Sequence, residues 1–123
     1  GATSSIQKPV DVVTSGNASE NVTGWEAVDQ DLETAWIGNS NAGGWWIALT
    51  YDPLVNLNSL AIHYKEGSLT NAMLLYSTDA VDWSETAIPI TNGPLSIHYL
   101  WLIYPDDGSG TVPEVNEILI NQP

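Results

Sequence analysis

"AVDQDLETAW", residues 27 to 36, sets Asp29, Asp31 and Glu33 within one short stretch and follows them at once with Thr34 and Trp36. Like charges this close repel, so either the stretch is a solvated acidic loop with Thr34 capping a turn, or a cation sits among the acids. A hard cation such as Ca²⁺ takes about six to eight oxygens and mixes carboxylates, backbone carbonyls and hydroxyls. A tight loop here can aim the Asp29 carboxylate, the Asp31 carbonyl, and the carbonyl and hydroxyl of Thr34 at one point. The stretch is no EF-hand, since the ladder of acids, the glycine and the closing Glu at the proper spacing are missing.

Around this loop the chain reads as strands. No helix of useful length is visible, and glycine and proline, ten and seven in number, punctuate short β-rich runs. These runs are "VDVVTS", "WWIALTY", "SLAIHYK", "NAMLLYS", "TAIPI", "LSIHYLWLIY" and "EVNEILIN". Short, evenly spaced strands with turn signals predict an all-β sandwich or barrel. The segments "YDPLVNLNS" and "TNGP" read as inter-strand loops. Residues 1–10 read as an N-terminal arm and residues 11–123 as a single sandwich domain. Alternation assigns Ile47, Leu49 and Tyr51 to one face of their strand and Trp46, Ala48 and Thr50 to the other.

Two runs do not alternate cleanly. If Ala72, Leu74 and Tyr76 face inward, Met73 and Leu75 face out. In "LSIHYLWLIY" both sets are apolar: Ile97, Tyr99, Trp101 and Ile103 against His98, Leu100, Leu102 and Tyr104. A sheet in a sandwich has one wet face, so such strands predict that their outer face is covered by the arm, a loop or another molecule. Met73, Leu75 and Trp101 are therefore candidate interface residues.

Fifteen acids face two lysines and no arginine, a net charge of −13. Nucleic acid and anionic membranes need Lys and Arg, so both are excluded as partners. No run reaches the ~18 apolar residues of a membrane span, so no membrane insertion is expected. With no cysteine, disulfides, thiolate metal sites and cysteine nucleophiles are ruled out. The start "GATSSIQKP" lacks an apolar signal-peptide core, and the expectation is a secreted or cell-surface product whose leader is already removed. Asn17-Ala-Ser19 and Asn21-Val-Thr23 are glycosylation sequons, with Asn17 and Asn21 as acceptors.

The order "AVDQDLETAW", "GGWWIALTY", "LLYSTDAVDW" and "VNEILIN" resembles the discoidin-like family. This is the galactose-binding-like β-sandwich found in coagulation-factor C domains and in carbohydrate-binding modules of bacterial glycosidases. The resemblance spans roughly residues 10 to 121. It implies a jelly-roll-like antiparallel sandwich of about eight strands with a structural Ca²⁺. The implied ligands are the Glu26 carbonyl, the Asp29 side chain, the Asp31 carbonyl and Thr34, joined by the Glu117 carboxylate and the Asn116 carbonyl. It also implies structural roles for Trp36, Trp46 and Trp83. Gln30 and Ala80 stand where the family has glycine, replacements that are tolerable if the turn changes type. The family's sugar sites often use an arginine, which this chain lacks.

Two non-catalytic functions follow. One is a module that binds carbohydrate through end loops, with Trp25, Asn39, Asn41, Trp45, His63 and Glu66 as candidate contacts. For Trp25 and Trp45, packing over the sandwich end competes evenly with sugar stacking. The other is a structural subunit that assembles with copies of itself into a filament or surface layer, the arm packing on a neighbour. No enzyme is expected. His63 and His98 read as ordinary strand residues, and carboxylate pairs such as Asp82 with Glu85, or Asp106 with Asp107, arise by chance in so acidic a chain.

Overall fold

The computed structural model describes residues 8–40 and 43–121. Eight strands follow in chain order: β1 (Asp11–Thr14), β2 (Trp36–Ile37), β3 (Gly44–Leu57), β4 (Leu60–Tyr64), β5 (Met73–Ser77), β6 (Ser84–Thr86), β7 (Leu95–Pro105) and β8 (Glu114–Ile120). A single 3₁₀ turn, Trp25–Ala27, precedes β2. The strands form a five-stranded sheet, β1-β3-β7-β5-β6, and a three-stranded sheet, β2-β8-β4, with every pairing antiparallel. The expected all-β sandwich is the observed fold. No helix among the described residues is long and apolar enough to cross a membrane.

Alternation builds the core. Trp45, Ile47, Leu49 and Tyr51 of β3, Leu74 of β5, and Leu100, Leu102 and Tyr104 of β7 point inward from the larger sheet. Trp36, Leu60, Val115, Ile118 and Ile120 meet them from the smaller one. Met73 is 39% exposed while its neighbour Leu74 is fully buried, so β5 presents its two sides as the pattern predicts. Burying this apolar surface is the main favourable term in folding.

Two elements differ from the sequence reading. "YDPLVNLNS" does not end its strand: β3 runs on to Leu57, and the extra residues are taken up by a register shift between Thr50 and Val55. Opposite that shift the inward set of β7 changes parity, so that Ile97 is buried along with Leu100, and the His98 ring nitrogen Nδ1 donates to the Tyr51 carbonyl at 2.5 Å. "TAIPI" is a loop; the strand lies just before it at Ser84–Thr86, and Ile88 and Ile90 pack on the core from irregular backbone. Pro89 has no N–H to give a ladder. Gln30 and Ala80 take left-handed backbone, the region that favours glycine, at φ 65° and 62°.

The tryptophans divide. Trp36 is fully buried beside Tyr104. Trp46 and Trp83, expected as structural positions, instead share the outer side of the larger sheet with Trp101: Trp46 faces away from the buried Trp45 and Ile47, and Trp83 is 37% exposed.

Asn17 holds the buried Trp36 in place. Its Oδ1 accepts the Trp36 indole N–H at 2.9 Å and the Thr14 hydroxyl at 2.7 Å. Removing that acceptor leaves a buried N–H unpaired, which costs about 1–3 kcal/mol. Asn17→Ala is therefore expected to lower the melting temperature by about 4–10 °C, read by thermal denaturation, while Asn21→Ala, at an exposed loop position, changes it little.

Candidate functional site

The acidic loop is a built structure. Glu26 braces the start of the turn: its carboxylate accepts the backbone N–H of Thr23 at 3.0 Å and of Gly24 at 2.8 Å. Ala27 and Val28 are buried and anchor the turn in the core. The chain then bends through side-chain-to-backbone turns, with Asp29 Oδ1 accepting from Asp31 N and Asp31 Oδ1 from Glu33 N. The loop is fastened to β8 at two points: Gln30 N donates to Glu117 Oε1 at 3.0 Å, and the Asn116 side-chain amide donates to the Leu32 carbonyl at 3.0 Å and the Thr34 carbonyl at 3.4 Å.

Oxygen crowds the centre of this loop. Around the Thr34 hydroxyl lie Asp29 Oδ2 at 2.5 Å, the Asp31 carbonyl at 3.1 Å and the Glu26 carbonyl at 3.5 Å. The hydroxyl has one proton for these three acceptors. The Glu117 side chain is 2% exposed and faces the same loop. Burial pushes its carboxyl up to about 7; the Gln30 N–H works against this, and the Asp29 and Asp31 carboxylates raise it further. Among the described residues, no three His, Cys, Asp or Glu side chains gather closely enough to hold a metal by themselves. The donor set is instead the mixed one a hard cation takes: carboxylates, carbonyls and a hydroxyl with more lone pairs than protons. Four of the expected ligands, Glu26, Asp29, Asp31 and Thr34, converge, and Glu117 adjoins them. Asn116 acts here through its side chain.

A pocket of about 310 Å³ lies beside this loop, lined by Gln30, Leu32, Tyr51, His63 and Glu117 among others. His63 stands opposite Glu117 in the β4–β8 ladder. It therefore belongs with the acidic loop, apart from Asn39, Trp45 and Glu66. Trp25, 42% exposed, sits on the 3₁₀ turn of the same loop.

Another site lies at one end of the sandwich. Gly44 pairs with Pro105, Ile37 with Glu114 and Tyr64 with Val115, so the loops after β2, β4 and β7 share that end. The "PDDGSG" turn, 105–110, is shaped by Asp106 Oδ1 accepting from Gly108 N and Asp107 Oδ1 accepting from Ser109 N and Oγ. Those Ser109 bonds hold the Asp107 carboxyl below its usual range. With Ser40, Gly43, Trp45 and Val112, this turn encloses a pocket of about 480 Å³. Glu66 lines an adjoining recess of about 250 Å³ with Lys65, Ser68 and Glu114, where Lys65 lies 3.5 Å from Glu114.

Trp45 packs over the sandwich end and walls this pocket. It is 3% exposed because it shares the inward side of β3 with Ile47, and its indole N–H donates to the Asn39 carbonyl at 2.7 Å. A Cβ at Gly38 would lie 2.6 Å from Trp45 Cδ1, so only glycine lets the loop close over the ring. Asn39 is half-buried and supports Trp45 from its backbone. Asn41 falls outside the described residues. Sequence reasoning missed Asp106 and Val112 as pocket residues; the available signal was the "DDGSG" turn, which was weighed only as a chance pair of acids.

No family model matches the sequence, and no curated protein matches it. Solved structures do. A pectin-binding carbohydrate-binding module is 24% identical, with a TM-score of 0.78 over 94% of this chain and 92% of that one. The CBM32 of AlyQ, in complex with 4,5-unsaturated mannuronic acid, is 15% identical, with a TM-score of 0.76 over 96% and 98% of the two chains. Chitosan-binding module 2, from a chitosanase/glucanase of Paenibacillus sp. IK-5 and in complex with chitotriose, is 13% identical, with a TM-score of 0.76 over 94% and 98%. The chain has the discoidin-like β-sandwich fold of these carbohydrate-binding modules. Each of them is a binding module, and the last derives from a larger enzyme.

The raised Glu117 carboxyl sets a pH dependence for the metal-free protein. A proton held more tightly in the folded state stabilises it below the ordinary value of 4.5, and that contribution is lost as pH rises through about 7. Asp107 and Asp79 are shifted the other way and act at lower pH, outside this window. In excess chelator, the melting temperature is expected to fall between about pH 4.5 and about pH 7, and Glu117→Gln to flatten that slope. A scan that is flat for the parent protein would contradict the charge arrangement described.

Proposed function

We propose that this chain is a non-catalytic carbohydrate-binding module of a secreted or cell-surface protein, stabilised by Ca²⁺ and receiving its glycan at the end-loop pocket. The observation that carries the reading is the pocket of about 480 Å³ between Trp45 and the Asp106–Gly110 turn, on a fold shared with modules that carry sugars. Backbone and short polar side chains line it, the chemistry that hydrogen-bonds hydroxyls, while Val112 and the Trp45 edge offer apolar contact to C–H faces. The exposed carboxylates of Asp106 and Asp107 and the absence of arginine favour neutral or protonated amino sugars over uronates.

The Glu26 and Asp31 carbonyls, the Asp29 carboxylate and Thr34 would hold the cation, with the Glu117 carboxylate and the Asn116 carbonyl completing the set. Bound there, Ca²⁺ supplies the positive charge that the buried Glu117 and its acidic neighbours lack. The chain's own contribution is to preform the loop through the Glu26 carboxylate's bonds to the turn, the two aspartate turns and the Gln30 and Asn116 ties. In a chain without disulfides this clasp joins sequence positions 87 residues apart.

Saturating Ca²⁺ at about a hundred times its dissociation constant adds about 2.7 kcal/mol. The melting temperature at neutral pH is therefore expected to rise by roughly 10 °C over the chelated protein, and Asp29→Ala to abolish the rise. For the sugar, isothermal titration with oligomers of glucosamine, N-acetylglucosamine, galactose and galacturonate is the test. We expect dissociation constants on the order of 0.1–1 mM for at least one of the first three, weakened about tenfold or more by Asp106→Ala. Absence of binding to every neutral and amino sugar would sink the reading.

A further inference from the structure

We infer that a small cavity at the open seam of the sandwich is a second binding site, one that takes the acetamido group of a neutral N-acetylated sugar. That a sugar carries the group rests on the carbohydrate reading above; the recess for the group is argued without it. The cavity measures about 220 Å³ and lies on the side of β4, an edge strand of the smaller sheet. Ile62 and Tyr64 reach it from β4, Thr70 and Ala72 from the segment before β5, Ile88 from the loop after β6, and Tyr104 from β7. None of these residues lines the end-loop pocket or the pocket beside the acidic loop.

The Tyr104 hydroxyl marks the site. Tyr104 is fully buried, and its phenol oxygen has no hydrogen-bond partner among the described residues. A buried O–H donor left unpaired costs stability. Phenylalanine would give the same ring contact to Trp36 without that cost. Burial, and then the Tyr64 phenol that lines the same cavity, push the Tyr104 ionisation up, so the group stays a neutral donor on the cavity side of its ring.

The lining selects the ligand. No charged side chain faces the cavity, so a charged group inside it would go unpaired. A bare sugar hydroxyl could accept from Tyr104, yet it would bring its own O–H against Ile62, Ala72 and Ile88, which accept nothing. An acetamido group meets every demand. Its carbonyl takes the Tyr104 proton, its methyl packs on those apolar walls, and its N–H stays near the mouth with the hydroxyls of Thr70 and Tyr64. Whole-ligand pockets run to about 300–1,000 Å³, so this smaller cavity suits a pendant group, with the sugar ring left at the mouth. There Tyr64, 44% exposed, offers an aromatic ring to its C–H face.

NMR of alanine and isoleucine methyls, with backbone amides, reads the two sites separately. N-acetylglucosamine is expected to shift the Ala72 and Ile88 methyls with a dissociation constant on the order of 1–10 mM. Glucosamine, which lacks the carbonyl, is expected to leave them unmoved. The Gly108 and Gly110 amides report the end-loop pocket in the same samples. Tyr104→Phe is expected to weaken N-acetylglucosamine binding at the seam about tenfold. It is also expected to raise the melting temperature of the free protein by about 2–5 °C, where loss of a paired hydroxyl would lower it. Ala72→Leu fills the cavity and is expected to abolish the Ile88 shift while the Gly108 and Gly110 responses persist. Shifts at Gly108 and Gly110 with none at Ala72 and Ile88 overturn the inference and leave the carbohydrate reading standing. Shifts at the seam with silent glycines support the inference and remove the end-loop pocket from the reading. An equal seam response to glucosamine overturns the inference, as does a Tyr104→Phe protein that melts lower than its parent.

Discussion

The structure turns on one burial: the Glu117 carboxylate, sealed from water near the end of the chain beneath a loop that already carries Asp29 and Asp31. A carboxylate so placed is costly to ionise in low dielectric, and its nearest charged neighbours make it worse. The fold compensates with a backbone N–H from Gln30 and with oxygens gathered around Thr34. That arrangement draws the acidic loop against the free edge of β8 beyond its short pairing with β2. Much else follows. The loop seats Ala27 and Val28 in the core and leads into Trp36.

Most of the architecture was legible because alternation is a local property. Leu49 and Leu74 announce an inner face whatever lies across the sheet. The strand limits were harder to read. Pro53 suggested a break, yet β3 passes it, because four of its residues bulge against a single β7 residue and the ladder resumes at Val55. That accommodation is tertiary and leaves no trace in the residues on either side. Gln30 and Ala80 teach the converse: side chains that disfavour a positive φ nevertheless adopt it, since the surrounding hydrogen bonds fix the turn more strongly than local preference opposes it.

The sites divide along the same line. The oxygen-rich loop is contiguous in sequence, so its composition carried the signal. The end-loop pocket assembles from residues 40–45 and 106–112, two segments far apart in the chain, and neither declares itself alone. For Trp45, next to Trp46, the sequence left packing and ligand contact even. Their opposite orientation is a matter of register, and register places Trp45 inside and Trp46 outside. The same register gathers Trp46, Trp83 and Trp101 into one patch from three separate stretches of chain.

The bond between Gln30 and Glu117 has a bearing on biosynthesis. Trp36 meets Val115 in the ladder, and the loop before it is tied to β8, so neither can settle until the final strand has emerged from the ribosome. A nascent chain must hold the early segments of this domain open until β8 has been made, and the domain then closes as one cooperative event. For any version of this domain made without its final strand, the expected fate is clearance by proteases.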